Sequence, residues 1–129
     1  MKKTKNSINF VAEVGCNDHG NMRLALKMTD KLVNFCDVKY VKFQKRNNRE
    51  LLGKEKYDMP HPVPANSFGR TYGLHREKLE FSIQQHKNIQ SYCKKKKIEY
   101  MCSAWDITSL KQLIKLKVKH IKKPSACNN

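Results

Sequence analysis

The chain has 129 residues, and 27 Lys or Arg against 11 Asp or Glu give it a formal net charge of +16. Its length suits one small domain. The longest mostly apolar run, residues 8–16, is too short to cross a membrane and contains Asn9 and Glu13. The basic start shows no secretion signal, and five cysteines without a C-x-x-C pair fit free thiols in a reducing compartment. We therefore expect a cytoplasmic protein.

The strong positive charge is typical of proteins that bind nucleic acid. The lysines, however, are scattered over the whole chain, and the main cluster, residues 94–97, lies at the end of a predicted helix, where cations suit the helix dipole. No RNP-type aromatic motif, zinc finger or Gly-rich RNA clamp is present in the sequence. We therefore expect a Lys-rich, solvated surface without a direct role in nucleic-acid binding.

The first third of the chain predicts a strand, a helix and a strand. Residues 8–14 form a short apolar run closed by Gly15, which predicts a buried strand. Asn21 is the predicted N-cap of a helix that runs to about Phe35. The apolar stripe of this helix has spacings of three and four residues and consists of Met22, Ala25, Met28, Leu32 and Phe35. Residues 38–44 predict the second strand.

A long segment, residues 45–72, separates this strand from the next long helix. Its prolines and glycines prevent one regular element, and loops of this length are usually functional lids or are disordered. A short helix is predicted over residues 75–80. Ser82 and Gln85 then form an S-x-x-Q capping box that opens a helix to about Lys96. The buried face of that helix is predicted to use Ile89, Tyr92 and Cys93.

The last part of the chain repeats the strand–helix–strand pattern. Residues 98–103 predict strand three, and residues 118–122 predict strand four. Asp106 caps the helix between them, with Leu110, Leu113 and Ile114 predicted to face inward. Strands that alternate with helices imply the α/β class and a parallel sheet. An open doubly wound sheet and part of a (β/α) barrel both fit, although no G-x-G-x-x-G phosphate loop follows the first strand.

Polar side chains lie near the carboxyl end of each predicted strand, where α/β proteins bind ligands. They are Glu13 on strand one, Lys42 and Gln44 on strand two, Ser103 on strand three, and Lys122 on strand four with Ser125 just beyond. Glu13 and Lys42 could pair as a buried structural salt bridge. The convergence of four strand ends favours a site for an anion, since two lysines and two hydroxyls suit a phosphate and a carboxylate.

Five short blocks in these regions resemble motifs of the N-acetylneuraminate synthase family, in the family's order. They are V-A-E-V-G-C-N at 11–17, V-K-F-Q at 41–44, T-Y-G-L-H-R at 71–76 followed by L-E-F at 79–81, S-A-W-D at 103–106 and K-K-P-S-A at 122–126. The resemblance implies a (β/α)8 TIM barrel followed by an antifreeze-like domain. Residues 1–129 would form about the first four βα units, without the second half of the barrel or the antifreeze-like domain.

The resemblance also implies a reaction. The family condenses phosphoenolpyruvate with N-acetylmannosamine or a related N-acetylated sugar to a nonulosonic acid, releases phosphate, works as a homodimer and uses a divalent metal, commonly Mn or Mg. By matching position, Glu13, Lys42 and Lys122 would be catalytic and Gln44, Ser103 and Ser125 would bind substrate. Lys42, Lys122 and Ser125 would hold phosphoenolpyruvate near Ser103, while Glu13 and Gln44 would face the sugar. The family's metal-binding histidines belong to the second half of the barrel, so we expect no metal ligands here.

Two expectations concern the chain on its own. Half a barrel leaves strands one and four with unpaired edges, so we expect a marginally stable, catalytically inactive chain: a gene fragment, a decayed copy or one piece of a split enzyme. The alternative function is a non-catalytic basic binding module on a half-barrel scaffold, with nucleic acid as its partner. Salt-sensitive binding to nucleic acid that Lys42→Ala leaves unchanged would favour this alternative.

Overall fold

One parallel sheet organises the chain. The computed structural model describes residues 8–128, and its four strands lie in the order β1-β2-β3-β4 with every neighbouring pair parallel. The strands are β1 (Val11–Gly15), β2 (Tyr40–Lys45), β3 (Glu99–Ala104) and β4 (His120–Lys122). Each strand pairs with its neighbour in the chain, as in a barrel, whereas a doubly wound sheet reverses its order at a switch point. The predicted α/β fold, a partial barrel with parallel strands, is confirmed.

Within residues 8–128, six helices connect and flank the strands. They are α1 (Met22–Cys36), α2 (Asn48–Leu51), α3 (Lys54–Asp58), α4 (Tyr72–Lys78), α5 (Ile83–Lys95) and α6 (Ile107–Lys115), with 3-10 turns at Pro64–Asn66 and Ser125–Cys127. The segment predicted to be irregular thus holds two short helices and a 3-10 turn. Over residues 8–128, none of the helices has the length and apolarity that a membrane crossing requires.

Side-chain caps fix where the long helices begin, as the sequence predicted. The Asn21 side chain accepts a hydrogen bond from the Leu24 amide at 3.1 Å, and Asp106 accepts one from Ser109 at 2.6 Å. Ser82 and Gln85 form the reciprocal capping box that opens α5. Helix α4 begins three residues before its predicted start because the Thr71 hydroxyl already caps it.

The core lies between one face of the sheet and the helices α1, α5 and α6. The sheet contributes Val41 and Phe43 from β2 and Tyr100 and Cys102 from β3, all buried, and the helices contribute Ala25, Ile89, Cys93 and Leu113. The rings of Phe43 and Tyr100 stack at 5.9 Å. Side chains alternate across a strand, so the residues adjacent to these core residues face the opposite side of the sheet. They are Lys42, Gln44, Met101 and Ser103.

Three predictions of burial were wrong. Strand β1 was predicted to be buried, but Val14 is its only buried residue, since β1 pairs with β2 alone among the described strands. Phe35, in the last turn of α1, is 74% exposed, and the Lys31 ammonium covers its ring. Ile114 is 60% exposed because α6 turns Ser109 and Leu113, four residues apart, towards the core.

A buried histidine that sequence analysis did not single out joins α5 to β3. His86 is fully buried, and its Nδ1 lies 2.6 Å from the Tyr100 hydroxyl oxygen. Burial, assisted by the charge of Lys45, lowers the pKa of His86 to about 3. The ring is therefore neutral in the folded chain at pH values where an unfolded chain would protonate it.

This difference predicts acid sensitivity. Below its ordinary pKa of 6.5, His86 binds a proton in the unfolded state and not in the folded state, so stability falls as pH falls from 6.5 towards 3. Between about pH 7 and about pH 4.5 the loss from this group is about 2–3 kcal/mol in the free energy of unfolding. Urea unfolding at both pH values measures this loss. The free energy of unfolding should fall less in His86→Gln than in the unmodified chain, by that amount. The control, His120→Gln at an exposed site, should lose as much stability on acidification as the unmodified chain. The same loss in all three proteins would contradict the prediction.

Candidate functional site

Lys42 contacts two other residues selected from sequence, Glu13 and Ser103, on the polar face of the sheet. Glu13 and Lys42 are register partners on β1 and β2, and their carboxylate and ammonium form an ion pair. The same ammonium donates a hydrogen bond to the Ser103 hydroxyl on β3 at 3.3 Å. Lys42 thus links three neighbouring strands near their carboxyl ends.

A second row lies one step further along the strands. Gln44 is the register partner of Ser103, and Ser103 is the register partner of Lys122 on β4. Burial, and then the positive charge of Lys122, lower the pKa of Lys42. Because the charge of Lys122 disfavours that of Lys42, an anion placed between the two lysines would suit this position.

Ser125 stands apart from this group. It begins the 3-10 turn after β4 and is exposed. Among the hydrogen bonds of residues 8–128, none joins its side chain to the other five predicted site residues. The turn is held instead through Cys127, whose thiol donates to the Trp105 carbonyl at 3.5 Å.

Glu13 and Lys42 do form the salt bridge that the structural interpretation of these two residues predicted. The Lys42 side chain is 11% exposed, but that of Glu13 is 45% exposed. The pair is therefore open to solvent on its acidic side and is not the fully buried bridge that the structural interpretation required. A carboxylate in this position can face a ligand while it remains next to the lysine.

A third basic residue, Arg46, follows β2 directly, two positions beyond Gln44, and was not recognised from sequence. Arg46 is 5% exposed and lies close to Glu80, with 3.1 Å between its Nε and the carboxylate. Its Nη2 donates a hydrogen bond to Gln44 Oε1 at 2.8 Å. Its guanidinium also lies 5.4 Å from the Trp105 ring. The spacing of Lys42, Gln44 and Arg46, every second residue, was the signal that would have placed all three on one face.

The described residues do not fit a resident metal ion. In residues 8–128 no group of three or more His, Cys, Asp or Glu side chains comes together in a way that could hold one. Lys42, which pairs with Glu13, would also oppose a bound cation.

An apolar groove lies beside the site. Its volume is about 630 Å³, and Ile107, Leu110 and Ile121 contribute to its lining, with Lys122 at its margin. The groove therefore adjoins β4 and does not surround Lys42. The candidate site itself is a polar strip across the sheet.

Comparisons with known proteins agree on one family. Residues 28–129 match the NeuB family. The chain is 34% identical over 123 residues to an N-acetylneuraminate-9-phosphate synthase of Drosophila melanogaster, covering 93% of this chain and 32% of that protein. It is 26% identical over 125 residues to an N,N'-diacetyllegionaminic acid synthase of Campylobacter jejuni, covering 97% of this chain and 36% of that protein. The chain thus spans about a third of the length of these relatives.

Solved structures agree on the fold. The N-acetylneuraminic acid (sialic acid) synthetase of Leptospira borgpetersenii, solved in complex with citrate, superposes with a TM-score of 0.75 at 24% identity, over 95% of this chain and 39% of that one. A spore coat polysaccharide biosynthesis protein E of Chromobacterium violaceum superposes with a TM-score of 0.73 at 17% identity. The match covers 93% of this chain and 34% of that one. Together with the family match, these likenesses confirm the resemblance drawn from the five motif blocks.

The buried Arg46–Glu80 pair gives a stability prediction. Glu80→Gln leaves the guanidinium buried opposite a neutral group, so the free energy of unfolding should fall by about 3 kcal/mol. The same substitution in an exposed pair, Glu99→Gln beside Lys119, should cost less than about 1 kcal/mol. Urea unfolding of both variants near neutral pH tests the difference, and equal losses would mean that the buried pair does not stabilise the fold as a pair.

Proposed function

The chain belongs to the NeuB family, and on that basis we propose that it forms about the first four βα units of a sialic acid synthase-type barrel. The proposed reaction condenses phosphoenolpyruvate with N-acetylmannosamine or a related N-acetylated sugar to a nonulosonic acid. Relatives named for two such acids, N-acetylneuraminate-9-phosphate and N,N'-diacetyllegionaminic acid, support the reaction class. The homodimer, the cytoplasmic location and the Mn or Mg requirement are proposed on the same ground.

The observation that carries this proposal is the position of Lys42. Its ammonium is largely buried, contacts the Ser103 hydroxyl and lies close enough to Lys122 for that charge to lower its pKa. Such a group gains most from a ligand with negative charge, because the ligand offsets both burial and repulsion. Phosphoenolpyruvate carries a carboxylate and a phosphate, so Lys42, Lys122 and Ser103 would hold it, with Ser125 joining from the turn after β4.

The sugar would lie on the β1 side of the same strip. Glu13 and Gln44 would face its aldehyde, which the C3 carbon of phosphoenolpyruvate attacks to form the new C–C bond. Water then adds at C2, and phosphate leaves when the C–O bond breaks. Lys42 and Lys122 would stabilise the negative charge that moves to the departing phosphate.

Substitution of either lysine tests the site directly. Since the relatives are much longer than this chain, ligand binding is the property of the chain that reports on these residues. Lys42→Ala and Lys122→Ala should each weaken phosphoenolpyruvate binding by about 30-fold, because each removes a charged contact worth about 2 kcal/mol. Calorimetric titration measures the affinity, and Lys27→Ala, an exposed lysine of α1, should leave it unchanged.

Two results would contradict the proposal. One is phosphoenolpyruvate binding that neither Lys42→Ala nor Lys122→Ala weakens. The other is absence of that binding together with salt-sensitive binding to an oligonucleotide that Lys42→Ala leaves unchanged, which would favour the basic binding module.

The pH dependence of binding follows from the lowered pKa of Lys42. The anion binds the protonated ammonium, so affinity should be lost as pH rises through this lowered pKa, before an ordinary lysine would deprotonate. Lys42→Arg keeps its charge at every accessible pH, so its alkaline loss should move to higher pH even though its geometry weakens binding overall. Dissociation constants from about pH 7 to about pH 10 test this. If both proteins lost affinity at the same alkaline pH, another group would control binding.

A further inference from the structure

The oxygen of the Gln44 carboxamide is hydrogen-bonded within the protein. Its Oε1 accepts a hydrogen bond from Arg46 Nη2 at 2.8 Å. Because guanidinium only donates, this contact selects the oxygen end of the amide. The nitrogen end, Nε2, is thereby turned away from Arg46.

The guanidinium that makes this contact is itself held on several sides. Glu80 places one carboxylate oxygen 3.1 Å from Arg46 Nε, and its other oxygen accepts a hydrogen bond from the Arg46 backbone amide at 3.0 Å. Trp105 lies 5.4 Å from the guanidinium, and Cys16 also contacts it. The side chains of Arg46 and Glu80 are 5% and 10% exposed, so water competes little for these contacts.

The free end of Gln44 lies beside Glu13. A Cβ placed on Gly15, which has a φ of +63°, would lie 3.3 Å from Gln44 Nε2 and 3.5 Å from Glu13 Oε1. The amide donor and the carboxylate acceptor thus border the same small space at the end of β1. A ligand that offers an oxygen acceptor next to an O–H or N–H donor would satisfy both groups.

We infer that Arg46 is a positioning residue that, anchored by Glu80, fixes the Gln44 carboxamide with its N–H donor towards the ligand space beside Glu13. Without the guanidinium, the amide can rotate and bring its oxygen towards the Glu13 carboxylate, where two acceptors repel each other and the ligand loses a donor. The inference rests on the proposed function for its ligand, an N-acetylated sugar, but its geometric part concerns the chain alone.

The geometric part is tested by ¹⁵N relaxation of the Gln44 side-chain amide, assigned through the resonance missing in Gln44→Leu. In the unmodified chain the order parameter of this NH2 group should be about 0.85, as in rigid backbone, and in Arg46→Lys it should fall below about 0.6. Lysine keeps the charge but lacks the guanidinium fork. The control is Asp30→Asn, which disturbs contacts of α1 with Tyr92 and Lys96 away from Arg46 and should leave the Gln44 signal unchanged.

A low order parameter in the unmodified chain overturns the inference without any variant, so the test does not depend on Arg46→Lys being well folded. An Arg46→Lys chain that folds and keeps a rigid Gln44 amide overturns it as well. Neither result bears on whether Lys42 and Lys122 bind phosphoenolpyruvate.

The functional part is tested by N-acetylmannosamine titration in the presence of saturating phosphoenolpyruvate. Arg46→Lys should lower the affinity for the sugar by about tenfold, since one hydrogen bond to the sugar is lost. The affinity for phosphoenolpyruvate should be unchanged. If Arg46 acts through Gln44, the substitution has no further effect in a Gln44→Leu background. Additive losses in the double variant would overturn the positioning role. Failure of phosphoenolpyruvate to bind at all would instead reject the proposed function while the relaxation result still decides the role of Arg46.

Discussion

The pairing of β2 with a parallel strand on each side is the constraint on which the rest of the structure depends. It fixes Glu13 opposite Lys42 and Gln44 opposite Ser103. Because side chains alternate along a strand, the same pairing sends Val41 and Phe43 to the helix layer. A shift of one residue in register would bury the polar set and expose the apolar set, so the core and the candidate site are specified by one arrangement.

Two basic residues, Lys42 on β2 and Arg46 just beyond its end, differ in how their charge is compensated. Arg46 has its charge opposed by a buried carboxylate, and its remaining contacts are made within the protein. Lys42 is nearly as buried, but its acidic partner is half exposed and a second lysine lies nearby. Protein contacts therefore fix Arg46 in place, whereas the ion pair of Lys42 with Glu13 stays open to solvent on its acidic side, where a ligand can reach it. This contrast is the physical reason to assign positioning to the first residue and ligand binding to the second.

Sequence predicted what local patterns encode. The caps at Asn21, Ser82 and Asp106 and the alternation of strands and helices appeared as predicted, because each depends on residues within a few positions of one another. The exposure of β1 depends on its position in the sheet, and no local pattern reports it. The contacts of Arg46 with Glu80, 34 positions away, and of His86 with Tyr100 on another element are likewise set by tertiary packing. The motif blocks contained some of these residues without revealing their partners.

The distribution of stability across the sheet also bears on the site. Strands β2 and β3 pair over six positions, while β3 and β4 pair over three and the β1–β2 ladder is interrupted between Glu13 and Gly15. Opening of the ladder should therefore begin at the outer strands, which make fewer hydrogen bonds and bury less apolar surface. Lys42, Gln44 and Ser103 stand on the well-paired centre, whereas Glu13 and Lys122 stand on the outer strands. Any contact that steadies β1 or β4 would thus sharpen the geometry of the ligand groups that these two strands carry, without changing the central set.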